Sequence, residues 1–201
     1  MIAPRRVLSA LLLALACGLA CAADANPIGL KAGVFDPPQP AADFPAGVRA
    51  TDGGAASLSR WHGKVVLLVF GFTHCPAVCP TTLATLAQAR KLLGADAAAL
   101  QVVYVTVDPE RDDAAHVKAY LAAFDPGFVG ATGAPDALAL VRKRYGVTAQ
   151  KVPMAGGTDY GMSHSTSIYL IDREGRLRAL MPFGHSADDF AHDVRQLLAL
   201  R

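Results

Sequence analysis

Two cysteines, Cys75 and Cys79, are the residues of this chain best suited to chemistry. They lie four positions apart, directly after the apolar run of residues 65–70 and directly before a pattern typical of a helix. The free N–H groups and the dipole at the start of a helix lower the pKa of a nearby thiol. Thiolates bind soft metal ions and attack disulfides, so this turn is predicted to perform one of these two tasks.

The N-terminal segment predicts where the chain works. Arg5 and Arg6 are followed by an almost unbroken apolar stretch over residues 7–20 and then by small residues. This pattern is typical of a secretory signal peptide, which we assign to residues 1–23. The apolar stretch is short for a spanning helix, which needs about 20 residues, and a retained inner-membrane anchor is the alternative. We therefore expect a periplasmic protein.

The cysteines must be interpreted in that compartment. Cys17 and Cys21 lie inside the signal segment, where we interpret them as small apolar residues of that segment. Alternatively, one of them becomes a lipidated N-terminus after lipoprotein processing. The mature chain then has only Cys75 and Cys79, which form a disulfide bond in an oxidising compartment unless a reductant or a metal prevents it. A bridge over so short a loop adds little stability, so a purely structural disulfide is the weakest interpretation.

Size and composition predict one folded domain. The chain has 201 residues, 52% of them hydrophobic, which is enough for a single core. The net charge is only +2 and the basic residues are scattered, so we expect no nucleic-acid partner. Residues 24–42 are rich in proline and predict a linker, which leaves residues 43–201 as the domain. The turn signal at residues 52–54 predicts a small hairpin as an N-terminal extension.

The remaining pattern predicts an α/β fold. Buried strands alternate with helices and are followed by a hairpin and a closing helix. The predicted strands are residues 64–72, 101–107, 128–130, 166–171 and 177–181, and the predicted helices are residues 81–93, 112–124, 135–145 and 186–200. This order predicts a mixed central sheet with helices on both faces.

Three segments carry a resemblance to a known family. Residues 71–80 read GFTHCPAVCP, residues 107–112 read VDPERD, and residues 164–172 read HSTSIYLID with Gly175-Arg176 after them. Together and in this order they resemble the Sco (SenC-like) family over about residues 43–198. The resemblance implies a thioredoxin-like fold, in agreement with the order of strands and helices.

The resemblance also implies a function and a site. Proteins similar to this one are copper chaperones for the binuclear copper centre of cytochrome c oxidase subunit II. Carried over, one copper per chain is bound by Cys75, Cys79 and His164, and a second copper chaperone is a candidate donor. Asp108 is a candidate accessory residue, although its carboxylate could equally cap the next helix. The chain departs from the family pattern at Ala77 and Ser163, where Asp is common.

The donor types agree with this expectation. Two thiolates and one imidazole form a soft set that suits Cu(I), and the imidazole also allows Cu(II). Zinc is a competitor because Cys2His sets bind zinc as well. Copper handling would make the protein a chaperone rather than an enzyme.

A thiol–disulfide oxidoreductase of the same fold is the competing interpretation, with Cys75 and Cys79 as the redox pair that reduces cysteines of the oxidase copper site or other periplasmic proteins. Such enzymes usually have two residues between the cysteines rather than three, and a cis-proline facing the pair. Residues 163–166 take that place here and contain no proline.

The other candidate donors receive simpler interpretations. Met154 and Met162 lie in residues 152–163, which the glycines predict to be a mobile loop. The side chain of His74 is expected to point away from Cys75. The remaining histidines are expected to be solvent-exposed or capping residues; they are His62, His116, His185 and His192.

Overall fold

The computed structural model describes residues 26, 28–154 and 159–200. The predicted signal peptide, with Cys17 and Cys21, lies outside the described residues. The strands are β1 (Gly33–Pro40), β2 (Val48–Ala50), β3 (Val65–Gly71), β4 (Leu100–Thr106), β5 (Val129–Gly133), β6 (Ala149–Pro153), β7 (Tyr160–His164), β8 (Ile168–Ile171) and β9 (Arg176–Met181). The α-helices are α1 (Val78–Leu93), α2 (Ala114–Ala122), α3 (Pro135–Arg144) and α4 (Ala187–Ala199), and short 3-10 helices span Leu58–Trp61 and Gly94–Ala99.

A seven-stranded mixed sheet forms the centre of the molecule, in the order β1-β9-β8-β3-β4-β5-β2. Strands β3, β4 and β5 are parallel, and the other strands of this sheet pair antiparallel. Every residue of β3 and β4 is buried, because helices cover both faces of these central strands. The mixed sheet predicted from the sequence is confirmed.

The two faces of β3 belong to two separate cores. Leu67 points into a cluster that contains apolar residues of α1, α2 and α4. Leu68 points into a second cluster, formed with α3 and with Trp61. The period of two along the strand explains this division. Because β3 is fixed from both sides, the turn that follows it is held on a rigid base.

The predicted N-terminal hairpin does not form. The segment before the turn, β2, pairs with β5 at one edge of the sheet, and the segment after it forms the 3-10 helix of Leu58–Trp61. The turn at residues 51–54 therefore ends a short edge strand rather than joining two paired strands. β2 gains more by pairing with the existing strand β5 than a lone hairpin would gain, and the following segment instead buries Leu58 and Trp61.

The segment predicted as a proline-rich linker is partly structural. Its residues 33–40 form β1, and Leu30 and Ala32 just before it are buried. Prolines are tolerated there because an edge strand needs only half of its N–H groups for pairing. The register of β1 shifts between Val34 and Gln39, across its two consecutive prolines.

The segment predicted as a loop before His164 is largely a hairpin. β6 pairs antiparallel with β7, from Ala149 opposite His164 to Pro153 opposite Tyr160. β6 is mostly exposed and β7 is mostly half-buried, so both strands lack the buried apolar alternation by which strands are recognised. Residues 155–158, which include two glycines of the predicted mobile loop, lie outside the described residues.

Helix α1 begins three residues earlier than the sequence pattern predicts. Cys79 therefore lies inside its first turn, and Pro80 is accommodated because N–H groups there have no helical partner. Ala77 occupies the N-cap position and offers no side-chain acceptor. The N–H groups of this turn are thus available to other acceptors. Within the described ranges, no helix combines the length and the apolar character that crossing a membrane requires.

Candidate metal centre

Cys75 provides an acceptor for the uncapped start of α1. Its side chain is half-buried, and its Sγ accepts a hydrogen bond from the N–H of Cys79 at 3.4 Å. Burial alone would raise the pKa of the Cys75 thiol, but the backbone N–H groups of Cys79, Ala77 and Val78 outweigh it and lower the pKa. Cys75 is therefore the thiol more readily converted to thiolate.

Cys79 has the opposite environment. It is 3% exposed and packs in the same core cluster as Phe70 and Phe72. Desolvation raises the pKa of the Cys79 thiol to about 12, against the hydrogen bond from the backbone of Phe72. The turn thus holds one activated thiol at the surface and one protonated thiol beneath it.

His164 reaches this turn from the end of β7. Its Nδ1 lies 2.7 Å from the carbonyl oxygen of Ser165, which can only accept, so Nδ1 carries the proton and Nε2 has a free lone pair. Nε2 lies 3.8 Å from Sγ of Cys79. Burial lowers the pKa of His164 despite the hydrogen bond to Ser165, which favours the neutral imidazole that metals bind. The ring also packs edge-on against Phe72, at 5.9 Å between ring centroids.

The distance between these two atoms fits a shared metal ion. For a metal about 2.3 Å from sulfur and about 2.0 Å from nitrogen, a separation of 3.8 Å corresponds to an angle of about 120° at the metal. An angle of this size leaves room for a third ligand in a trigonal arrangement. Both cysteines are free thiols, so neither sulfur is consumed by a disulfide bond.

The third predicted ligand, Cys75, lies near Cys79 and His164 but does not form a close group of three donor atoms with them. Within the described residues, the group of three potential ligands whose donor atoms lie within 4.8 Å of one another consists instead of His74, Asp112 and His116. Cys79 and His164 already form a close pair, so completing the predicted site requires the Cys75 side chain to turn towards them. The structure thus holds two of the three predicted ligands as a close pair, and the third, Cys75, is the more exposed of the two cysteines.

Asp108 lies beside this site rather than in it. It is 1% exposed, and its carboxylate accepts hydrogen bonds from Nε of Arg111 at 2.6 Å and from the hydroxyl of Tyr160 at 2.9 Å. Arg111 also donates to the carbonyl oxygen of Tyr160 and lies 3.8 Å above the centre of its ring. Because Tyr160 begins β7 and His164 ends it, Asp108 holds the strand that carries the histidine.

Comparison with known proteins identifies the family. The family model described as SCO1/SenC matches residues 46–199 of the chain. The chain belongs to the SCO1/SenC family. The predicted resemblance is confirmed, and the fold is the thioredoxin-like fold of Sco proteins, as expected from the order of strands and helices.

Individual relatives support this assignment. The mitochondrial SCO2 homolog of Homo sapiens is 35% identical over 149 residues, covering 73% of this chain and 56% of that protein. A putative copper-binding protein of Stutzerimonas stutzeri is 39% identical over 123 residues, covering 59% of this chain and 56% of the relative. The chain thus spans about half the length of these curated relatives. ScoI of Bradyrhizobium japonicum, solved with copper bound, is 37% identical with a TM-score of 0.71, covering 79% of this chain and 99% of that one.

Two positioning residues of this Sco protein were not predicted from the sequence. Arg111 lies within the VDPERD motif, so its type and motif were visible, but its contact with the His164 hairpin was not. Tyr160 lies in the segment predicted as a loop, where nothing indicated a strand residue that contacts Asp108. Both contacts join segments about 50 residues apart, which periodicity cannot reveal.

An apolar groove of about 390 Å³ opens beside Cys75 of this Sco protein. Phe72, Tyr160, Met154 and Met162 contribute to its lining, and Met154 is 55% exposed. The two methionines thus lie in the groove that leads to the reactive thiol. Sulfur donors and an apolar surface are both suited to a partner that approaches Cys75.

Proposed function

We propose that the chain is a copper chaperone that binds one copper ion through Cys75, Cys79 and His164 and delivers it to the binuclear copper centre of cytochrome c oxidase subunit II. The observation that carries the proposal is the free Nε2 of His164 at 3.8 Å from Sγ of Cys79, beside the activated Cys75 thiol. Family membership and the copper bound to the Bradyrhizobium relative support copper as the metal.

The donor set suits the capture of Cu(I). Thiolates are soft ligands that prefer Cu(I), and three donors leave the ion coordinatively open. Cys79 must lose the proton that burial holds on it, so metal binding releases protons and becomes tighter as the pH rises. The inner pair of Cys79 and His164 anchors the ion, while Cys75 closes the site.

The same asymmetry suits release. Cys75 is the outermost ligand and lies at the rim of the apolar groove, where a partner can approach. An acceptor can add its own thiolate or imidazole on this side before Cys75 departs. Copper then passes through shared coordination and is never free in solution. A donor chaperone would load the site by the reverse exchange.

We further propose that the protein works in the periplasm, exported by its N-terminal segment or retained there as an inner-membrane tether. The proposal rests on the two arginines followed by an apolar stretch over residues 7–20. Expression of the full chain with a C-terminal tag, followed by osmotic-shock fractionation and mass spectrometry of the N-terminus, separates cleavage, lipidation and retention. Recovery of the tagged protein in the cytoplasm would contradict export.

Thiol–disulfide exchange is a second candidate function, and one observation favours it. Cys75 is activated and accessible while Cys79 is buried and protonated, which is the division of labour between an attacking and a resolving thiol. The Cys75 thiolate would attack a substrate disulfide and release one substrate thiol. Cys79 would then displace the second, forming a Cys75–Cys79 disulfide that an external dithiol must reduce with two electrons and two protons.

An anaerobic Cu(I) titration of reduced residues 24–201 against a competing chelator tests the site. Tight one-to-one binding should be lost in Cys75→Ser and in Cys79→Ser. It should be weakened about 10- to 100-fold in His164→Ala and unchanged in His192→Ala, which removes a half-buried histidine beside Asp193. Weak binding that is indifferent to His164→Ala, together with rapid disulfide exchange, would overturn the copper proposal in favour of the oxidoreductase.

Delivery requires its own test. The Cu(I)-loaded protein is mixed with the reduced, metal-free copper domain of oxidase subunit II in the presence of a chelator that traps free Cu(I). Transfer to the domain without loss to the chelator is expected. Loss of all copper to the chelator would contradict direct delivery while leaving the binding site itself intact.

A further inference from the structure

A second group of potential metal ligands lies next to the proposed copper site but shares no residue with it. His74 follows β3, Asp112 follows β4, and His116 lies in the first turn of α2. One donor atom of each lies within 4.8 Å of the other two. Three separate elements therefore bring two imidazoles and one carboxylate to the same point of the surface.

The hydroxyl of Thr73 marks that point. Its Oγ1 lies 2.6 Å from Oδ1 of Asp112, 3.1 Å from Nδ1 of His74 and 2.9 Å from Nε2 of His116. Three donor atoms thus already converge on one oxygen. A cation at the same point needs distances of about 2.0–2.1 Å, so each ligand must move by about 1 Å or less as Thr73 turns aside. The two imidazole rings are stacked, with 5.6 Å between their centroids. Both are exposed to solvent, and this exposure leaves them free to move.

The charge at this point favours a cation. Asp112 is fully buried, and its carboxylate accepts hydrogen bonds from the N–H and hydroxyl of Thr73 and from the hydroxyl of Thr106. Across residues 26, 28–154 and 159–200, no lysine or arginine nitrogen lies within 4.0 Å of it, and the nearest ionisable nitrogen is Nδ1 of His74 at 4.0 Å. A buried carboxylate without a cationic partner is costly, and its charge faces the two imidazoles.

We propose that His74, His116 and Asp112 form a second metal site, for a divalent late transition-metal ion. The donors are imidazole nitrogen and carboxylate oxygen with no thiolate, so the site should prefer Cu(II), followed by Zn(II) and Ni(II), over Cu(I). Water completes the coordination on the exposed side. Because His74 directly precedes Cys75, the divalent-ion site and the thiolate site are joined by a single peptide bond.

The test removes the first site so that only the second is measured. In the triple variant Cys75→Ser/Cys79→Ser/His164→Ala, Cu(II) is titrated against a competing ligand and the bound ion is examined by EPR. We expect one Cu(II) per chain with nitrogen couplings from two imidazoles. His74→Ala and His116→Ala should each lower the affinity at least about tenfold.

His192→Ala is the matched control, because His192 also lies beside a buried carboxylate, 3.0 Å from Asp193. Its substitution should leave the affinity and the EPR spectrum unchanged. Cu(II) binding that is absent at 100-fold excess of metal, or that neither His74→Ala nor His116→Ala weakens, would overturn the proposal. The cluster would then only fasten α2 to the turn after β3, and the two variants would lower the melting temperature without affecting metal binding.

A second measurement covers the case in which the triple variant does not fold. The unaltered first site is filled with Cu(I) under anaerobic conditions, and Zn(II) is then titrated by calorimetry. One further equivalent should bind and should be lost in His74→Ala, whereas equal Zn(II) binding in that variant would again overturn the proposal. Neither experiment requires delivery to an oxidase. The proposal of a second site can therefore be overturned while the copper-chaperone proposal stands, and the copper-chaperone proposal can be overturned while the second site stands.

Discussion

Cys75 and Cys79 are chemically identical residues that the fold makes different. Cys75 receives N–H groups from the uncapped start of α1, whereas Cys79 points into the core between β3 and the helix. The first environment favours the charged thiolate and the second favours the neutral thiol. Reactivity towards metals and disulfides is therefore set by the position of each sulfur within one helical turn.

The lowered pKa of Cys75 predicts faster alkylation at a given pH. In residues 24–201 carrying Cys79→Ser, Cys75 is the remaining thiol, and the rate of its reaction with iodoacetamide can be followed from pH 5 to pH 11. The midpoint of this profile should lie below that of the same variant in urea, because unfolding removes the N–H donors. Identical midpoints in the folded and unfolded chains would contradict the role of the helix start.

The raised pKa of Cys79 predicts a loss of stability in alkali. The folded, metal-free protein keeps a proton on Cys79 up to a pKa of about 12, whereas the unfolded chain loses it near the ordinary value of 9.0. The stabilisation is complete below pH 9 and disappears as the pH rises towards 12.

Between pH 8 and pH 10.5, the reduced protein should therefore lose on the order of 2 kcal/mol more free energy of unfolding than Cys79→Ala does. Urea denaturation at each pH measures this difference. Parallel curves for the two proteins would show that Cys79 ionises freely in the folded state.

At the scale of elements, the hairpin of β6 and β7 decides where His164 lies. A two-stranded hairpin is only marginally stable by itself in water, and this one forms its own separate sheet. Arg111 connects it to the main sheet, since its guanidinium contacts buried Asp108 on one side and Tyr160 on the other. The position of a proposed metal ligand thus depends on an ion pair that touches no metal.

Arg111→Met should therefore loosen the hairpin and weaken copper binding. The substitution leaves the carboxylate of Asp108 buried without its cation, which we expect to cost about 3 kcal/mol. Amide hydrogen exchange in β6 and β7 should accelerate, and Cu(I) affinity should fall about tenfold because His164 is no longer positioned.

Lys151→Met is the control for this experiment, because Lys151 lies in β6 of the same hairpin and forms an exposed ion pair with Glu110. Lys151→Met should change amide hydrogen exchange in β6 and β7 and the affinity for Cu(I) far less than Arg111→Met does. Equal effects of the two substitutions, or unchanged copper affinity in Arg111→Met, would rule out positioning by the buried pair.

For the whole molecule, the N-terminal segment closes the sheet. Residues 33–40 cover the edge of β9, and the N–H groups of Lys31 and Ala32 donate to the buried carboxylate of Asp193 in α4 at 2.7 and 2.9 Å. Without this segment, β9 would be an open edge and Asp193 would lose two donors. The folded unit therefore extends about ten residues before the start predicted for the domain.

A chain of residues 43–201 should consequently be less stable than one of residues 26–201. We expect a loss of more than about 2 kcal/mol, since a buried carboxylate loses two hydrogen bonds, together with self-association through the exposed edge of β9. Urea denaturation and size-exclusion chromatography measure the two effects. Asp193→Asn in the longer chain should reproduce part of the instability but not the association, whereas equal stability of the two chains would show that β1 is dispensable.

The sequence by itself determined the local features of this protein. The buried strands β3 and β4, the helices that follow them and the capped start of α4 are visible because periodicity and capping act over a few residues. The turn with Cys75 and Cys79, and the family membership, follow from motifs that are contiguous in the chain.

Only the tertiary structure decided how distant segments meet. His164 lies 85 residues from Cys79 and reaches it through a hairpin that lacks an apolar pattern. From the sequence, Asp108 was predicted to be a capping residue of a turn or an accessory residue of the metal site. In the structure, its carboxylate accepts hydrogen bonds from Arg111 and Tyr160. The cluster of His74, Asp112 and His116 likewise joins three elements. Such contacts depend on how sheets and helices pack, which short-range patterns of sequence do not encode.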